Sequence, residues 1–264
     1  MERTSLTLAP EKLTSELSAM LGDADPNGVV IAFDGDGTLW SGDVGEDLFR
    51  AAMQHDFLVD DALPALTLEA ERFGIALGGV KTANGAARVL LAAYLAGQYP
   101  ERETCAMMTW CYAGHAVAEV DALARSVLQQ EDLASRLTGE LTPVLEWSRQ
   151  KGVRNVLISA SPRVVVEAAG AFRGFLPADI AAATPAVEAG QVLPRLAAPV
   201  PYAEAKLSAG RDLFGTSRWL AAFGDNVFDI EMLTTAELGV AVRPKPKLET
   251  ELAALGLRLL ARQP

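Results

Sequence analysis

Asp34 and Asp36 stand two apart where the apolar run Val29 to Phe33 ends, in Asp34-Gly35-Asp36-Gly37-Thr38. In an extended chain such a pair projects to one side, and Gly35 and Gly37 let the backbone turn closely around a ligand. The arrangement suits a hard cation plus an oxyanion, although Asp-Gly pairs also build ordinary turns. Gly224-Asp225-Asn226-Val227-Phe228-Asp229 repeats the design: an apolar strand runs into an acid, and a second acid follows at i+4 on the first turn of an expected helix. Asp229 would also suit a helix cap or the helix dipole. Asp225, straight after a buried strand, is harder to explain that way.

If the fold gathers Asp34, Asp36 and Asp225, like charges about 4 Å apart at an effective dielectric near 20 repel by about 4 kcal/mol per pair. Something positive must sit among them. Oxygen-only ligands select Mg²⁺, which prefers one or two carboxylates plus substrate phosphate. Ser159, with the backbone amides of Ala160 and Ser161 at a helix start, forms an anion cradle. Lys206 could supply a fixed positive charge to the same anion, unless it is simply an exposed lysine.

The elements that must position these residues follow from the hydrophobic pattern. Leu13, Leu17, Met20 and Leu21 share one helical face, and Gly22 to Gly28 supplies turn chemistry. Val29 to Phe33 is an apolar run without alternation, the mark of a strand covered on both faces. From about Val44 to Gly139 the texture is Ala- and Leu-rich at helical period, with breaks at Pro64, Gly78-Gly79, Gly97, Pro100 and Gly114. Alternation then returns. A helix is expected from Thr142-Pro143, with Thr142 as cap, to Gly152, then a strand Val153 to Ile158 that Ser159 ends. Ser161-Pro162 is expected to cap a helix to about Ala171. A short strand near Ile180 to Ala183, a hairpin turning at Ala189-Gly190, a helix around Ala203 to Leu213, and strands Trp219 to Phe223 and Leu238 to Val242 follow.

Strands alternating with helices predict an α/β fold with a doubly wound, Rossmann-like parallel sheet, in which ligands sit beyond the carboxyl ends of strands. Residues 1–43 and 140–264 are expected to form that core, and residues 44–139 an inserted all-helical cap able to fold over the site.

Composition narrows the function classes. The chain has 264 residues, half of them apolar, and a formal charge of −11. That is enough to bury a sizeable core, and the acidic balance argues against general binding of nucleic acid or anionic membrane surfaces. No apolar run reaches the roughly 18 residues of a membrane helix. Charged residues through Met1 to Gly22, Glu2 and Arg3 among them, do not fit a secretory signal, so a cytoplasmic protein is expected. Cys105 and Cys111 match neither a redox pair nor a zinc half-site, and His55 and His115 lie too far apart to suggest a shared metal. Nucleophilic chemistry through Cys or His is disfavoured.

The segment Asp34-Gly35-Asp36-Gly37-Thr38-Leu39, the strand-terminal Ser159, Lys206, and Gly224-Asp225-Asn226-Val227-Phe228-Asp229 occur in the order of the motifs of the haloacid dehalogenase-like phosphohydrolase superfamily, which the chain resembles over about Val29 to Leu248. Ser159-Ala160-Ser161-Pro162, Gly190 in its hairpin and Val240-Ala241-Val242-Arg243-Pro244 look most like its phosphoserine-phosphatase-like branch, whose members carry a helical cap between the first and second motifs.

The resemblance implies a phosphoric monoester hydrolase that takes a small-molecule phosphorylated substrate and Mg²⁺. Asp34 would be the nucleophile and Asp36 the acid and base. The metal would be held by Asp34, the carbonyl of Asp36 and Asp225. Thr38, Ser159, Ala160 and Lys206 would serve the phosphate, with Asp229 orienting Lys206 or a metal-bound water. Phosphoserine phosphatases typically have a Glu beyond the first motif that reads the substrate amine; Asp43 is the nearest counterpart, with Glu46 further on, and Arg50 is a candidate for a substrate carboxylate. A phosphotransferase or phosphomutase, a dehalogenase, and a non-catalytic phosphate- or Mg²⁺-binding regulator remain the alternatives.

Overall fold

The structure, a computed structural model, describes residues 7–262; Glu2 and Arg3 lie outside the described residues. Its centre is a seven-stranded parallel sheet. From one edge the order is β1 (Thr7–Leu8), β9 (Arg258–Leu260), β8 (Leu238–Ala241), β7 (Arg218–Gly224), β2 (Val29–Phe33), β3 (Arg154–Pro162) and β4 (Ile180–Ala183). Every residue of β2 is buried, as an apolar strand without alternation requires. Its alternate side chains enter two different cores: Val29, Ile31 and Phe33 pack on one face of the sheet, Val30 and Ala32 on the other.

Helices cover both faces. α1 (Pro10–Leu21) buries Leu13, Leu17 and Leu21, and its Pro10 occupies a first-turn position where a missing N–H costs nothing. Between β2 and β3 the chain builds α2 (Val44–Gln54), α3 (Leu63–Arg72), α4 (Ala83–Leu95), α5 (Glu101–Trp110), α6 (Val117–Gln130) and α7 (Leu133–Arg136). α8 (Thr142–Lys151) then leads into β3, ending at Gly152 with φ 73°. α9 (Arg163–Ala171), α10 (Ala205–Phe214), α11 (Ile230–Thr235) and α12 (Pro246–Glu251) connect the remaining strands. Among the described residues no helix is long and apolar enough to cross a membrane.

The segments entering and leaving the α2–α7 block run side by side, with Ser41 N donating to Arg136 O at 2.9 Å and Thr138 N to Leu39 O at 3.0 Å. The hairpin of β5 (Pro185–Glu188) and β6 (Gln191–Leu196) turns at Ala189-Gly190, both at positive φ. Backbone bonds from Gly114 N to Val192 O and Val117 N to Gly190 O, each 3.0 Å, tie that hairpin to the helical block.

Several local expectations differ from the structure in instructive ways. β3 does not end at Ser159: it continues to Pro162, with its register against β4 shifting between Ser159 and Pro162, because Ala183 of β4 pairs beyond the bulge. Ser161 does not cap α9, whose flanking residue is Pro162 without a side-chain cap; the serine hydroxyl is spent on Asp36 instead. Thr142 is the first residue of α8 rather than its cap, since a 3₁₀ turn over Gly139–Leu141 precedes it. α10 starts at Ala205 because Ala203 takes a left-handed φ of 50°.

Candidate active site

The chain order of the sheet reverses beside β2. Successive strands β3 and β4 extend one way, while β7, β8 and β9 extend the other, and in open α/β sheets ligands bind beyond the carboxyl ends at such a point. Asp34 follows β2 and Asp225 follows β7, so both stand in that crevice. Phe33 pairs with Phe223 in register and their rings stack at 4.8 Å, and Asp34 N donates to Phe223 O at 2.9 Å. The sheet itself thereby sets the spacing of the two acids. Gly37, at φ +83°, lies against the Asp225 carboxylate with no room for a Cβ.

Lys206, on α10 and only 4% exposed, links two of the acids. Its Nζ donates to Asp34 Oδ1 at 2.5 Å and to Asp229 Oδ1. Asp229 Oδ2 accepts from the backbone N of Asp225 and of Asn226, each at 3.0 Å, so this one side chain ties the lysine to the loop after β7. Carboxylate oxygens of Asp34, Asp225 and Asp229 all lie within 4.8 Å of one another. Lys245, just beyond β8, sits 3.6 Å from Asp225 Oδ2.

This crowding shifts the titrations. Burial pushes Asp34 well above the usual carboxylate range; Lys206 pulls it back, while Asp229 and Asp225 add to the rise. Burial also raises Asp225 to about 6 against the pull of Lys245. For Lys206 burial disfavours the charge, yet Asp229 and Asp34 outweigh it and hold the amine above its ordinary value. Hard oxygen donors, buried together with too little positive charge, fit a hard divalent cation.

Asp36 is built differently. Its Oδ1 accepts from Trp40 Nε1 and Val44 N, both at 2.8 Å, and its Oδ2 from Ser161 Oγ at 2.7 Å. Its carboxylate is therefore held apart from the Asp34, Asp225 and Asp229 group. Thr38 is fully buried, with its N donating to Gly35 O at 3.1 Å and its Oγ1 unpartnered. Ser159 Oγ accepts from Ser161 N at 3.1 Å. Asp34, Asp36, Ser159, Ala160, Lys206 and Asp225 all line one cavity of about 70 Å³.

A model of the haloacid dehalogenase-like hydrolase (HAD) family matches residues 31–234, from within β2 to within α11. The chain belongs to the HAD family. Solved structures resembling this HAD chain include a protein of unknown function from Bordetella pertussis Tohama I, with TM-score 0.66 and 18% identity over 88% of this chain and 98% of that one. A phosphoserine phosphatase in the form of a phospho-aspartyl intermediate analogue aligns with TM-score 0.52 and 15% identity, covering 89% of this chain and 93% of that one. Cytosolic 5'-nucleotidase IIIB bound to cytidine aligns with TM-score 0.56 and 13% identity, covering 97% and 86%. At these identities the likeness is one of fold. No curated protein matches the chain.

The helical block of this HAD protein meets the cavity through Asp43, Glu101 and Cys105. Asp43 caps α2, its Oδ1 accepting from Glu46 N at 2.8 Å. Though solvent still reaches this residue, enclosure in the cleft, then the neighbouring Asp36, push its carboxyl up to about 8. Glu46 and Arg50 instead pair with each other at 2.8 Å along α2, Arg50 half exposed. Sequence reasoning missed Lys245, Glu101 and Tyr202 as wall residues. Lys245 follows the end of β8, a position at which the sheet rule applied; the others carry no local signal.

Proposed function

We propose that the chain is a Mg²⁺-dependent phosphatase hydrolysing a small-molecule phosphomonoester through an aspartyl-phosphate on Asp34. Residues 1–43 and 140–264 act as the catalytic core and 44–139 as its cap. The observation that carries the reading is that the two acids have separate partners: Asp34 is bonded to buried Lys206, while Asp36, two residues on, is held by Ser161.

An Asp34 oxygen forms a bond to phosphorus as the ester P–O bond breaks, and the leaving oxygen takes a proton from Asp36. Water then attacks phosphorus and gives a proton back to Asp36, the Asp34–phosphorus bond breaks, and inorganic phosphate leaves. Lys206, the Ser159 hydroxyl and the Ala160 amide hold the phosphoryl oxygens, Thr38 steadies the loop, and Asp229 keeps Lys206 in place. Asp34, Asp225 and the Asp36 carbonyl would hold Mg²⁺, with Asp229 at the edge of the group. When bound, the ion offsets the repulsion between the carboxylate nucleophile and the phosphate dianion. Glu101 on the leaving-group wall, beside the largely protonated Asp43, favours an uncharged or cationic alcohol over a carboxylated one.

The test measures phosphate release from a panel of metabolites, with and without chelator, for wild type and Asp34→Asn. Activity that needs metal and disappears in Asp34→Asn is expected. Full activity in that variant removes the nucleophile, and transfer to added alcohol in preference to water makes the enzyme a phosphotransferase.

A further inference from the structure

The hydrogen bonds around Asp36 give its two oxygens unequal chemistry. Oδ1 is met by the indole Nε1–H of Trp40 and the backbone N–H of Val44, groups that donate and cannot accept. A proton on Oδ1 would confront both donors and forfeit two hydrogen bonds. Oδ2 is met by the Ser161 hydroxyl at 2.7 Å, which donates to a carboxylate and, after rotation about its C–O bond, accepts from a carboxylic acid. Resting on the reading of Asp36 as acid and base, we propose that Trp40 and Ser161 are positioning residues for its proton transfer: Trp40 locks Oδ1, so that Oδ2 carries the proton, and Ser161 switches between donor and acceptor as Oδ2 loses and regains it.

The surroundings are shaped for this arrangement. Trp40 is fully buried in the entering linker, bridged to Leu137 of the returning one. Its ring packs on Gly35 so closely that a Cβ there would lie 2.9 Å from it. Val44 opens α2, whose next residue, Gly45, leaves the space that Ser161 Oγ fills; a Cβ would sit 2.9 Å from that oxygen. Ser161 lies on the bulged end of β3 and lines the cavity. Asp36 is thus gripped from the linker and α2 on one side and from the sheet on the other, while Asp34 is held independently by Lys206. In the first step the proton moves from Asp36 Oδ2 to the leaving oxygen as its bond to phosphorus breaks. In the second it returns to Oδ2 from the attacking water.

The experiment compares kcat/KM for p-nitrophenyl phosphate, whose leaving group departs without a proton, with the alkyl phosphate turned over fastest in the metabolite panel. kcat/KM reports the steps up to departure of the alcohol, so the water step does not blur it. Trp40→Phe keeps a ring and removes the donor together with part of the buried indole; Ser161→Ala removes the hydroxyl and Ser161→Thr restores one. The loss on the alkyl ester is expected to exceed the loss on the aryl ester by about tenfold or more, with Ser161→Thr recovering most of it. Equal losses on the two esters, or none on the alkyl ester, overturn the assignment. Should Trp40→Phe fail to fold, Ser161→Ala decides alone. The parent reading fails in a different way: Asp36→Asn would then lose the same factor on both esters, or wild type would hydrolyse neither.

Discussion

Lys206 is the residue on which the most depends. A buried amine bonded to two buried carboxylates leaves both uncompensated when it is removed, a loss of about 3–5 kcal/mol in comparable pairs. Lys206→Met should lower the melting temperature and abolish phosphate release. An unchanged melting temperature would show that the two acids find other partners. Asp225 supplies the pH dependence. Its carboxyl is raised to about 6 in the fold, so between the ordinary carboxylate range and that value the folded state binds more protons than the unfolded one. Stability therefore falls as pH rises through this window. A divalent ion held by the carboxylates that protons vacate would oppose the trend. Mg²⁺ should raise the melting temperature more at about pH 7.5 than at about pH 5, read by calorimetry against a chelated control; equal increments would count against the acids as its ligands.

At the scale of elements, α2 and β2 determine how well the site is held. Asp43 caps α2 through Glu46 N, so Asp43→Ala should cost about 1 kcal/mol while Asp43→Asn keeps the cap and removes only the titratable carboxyl beside Asp36. With Asp43 largely protonated at about pH 7, Asp43→Asn should leave stability close to wild type; denaturant titration separates the two, and equal destabilisation would mean that the cap contributes nothing. Phe33, fully buried and stacked on Phe223, aligns the strand ends that present Asp34 and Asp225. Phe33→Ala should cost about 3–5 kcal/mol and weaken metal-dependent activity in the fraction that remains folded. These elements were legible in advance because β2 is apolar on both faces and Asp-Gly turns end it. The edge strands β1 and β9 were not, being two and three residues long, too short to show a period.

Across the whole molecule, one hydrophobic cluster joins the helical block to the sheet. Leu48 of α2, Leu90 of α4 and Val127 of α6 belong with Phe33, Leu157 and Val240. A core continuous in this way predicts a single cooperative thermal transition; two separated calorimetric peaks would show that residues 44–139 melt on their own. The same packing brings Asp43 and Glu101 to the cavity from elements far apart in the chain. Esters of uncharged or cationic alcohols should be turned over with higher kcat/KM than carboxylated ones of equal size. Glu101→Gln should narrow that preference, and a wild-type preference for the carboxylated esters would contradict it.

The amino-acid sequence alone placed Asp34 and Asp225 at the ends of buried strands, because apolar runs, glycines and acids at fixed spacing dictate local geometry. Ser159 and Lys206 joined them only through the order of the motifs, since β3 runs on past Ser159 and Lys206 lies within α10. Only the tertiary structure decided who meets whom. The order of strands in the sheet puts Asp229, and not the Asp36 side chain, beside Asp34 and Asp225, and the bulge in β3 turns Ser161 from an expected helix cap into the partner of Asp36. Spacing along a chain fixes direction over a few residues. Contact across tens or hundreds of residues is set by sheet register and helix packing, which no local pattern encodes.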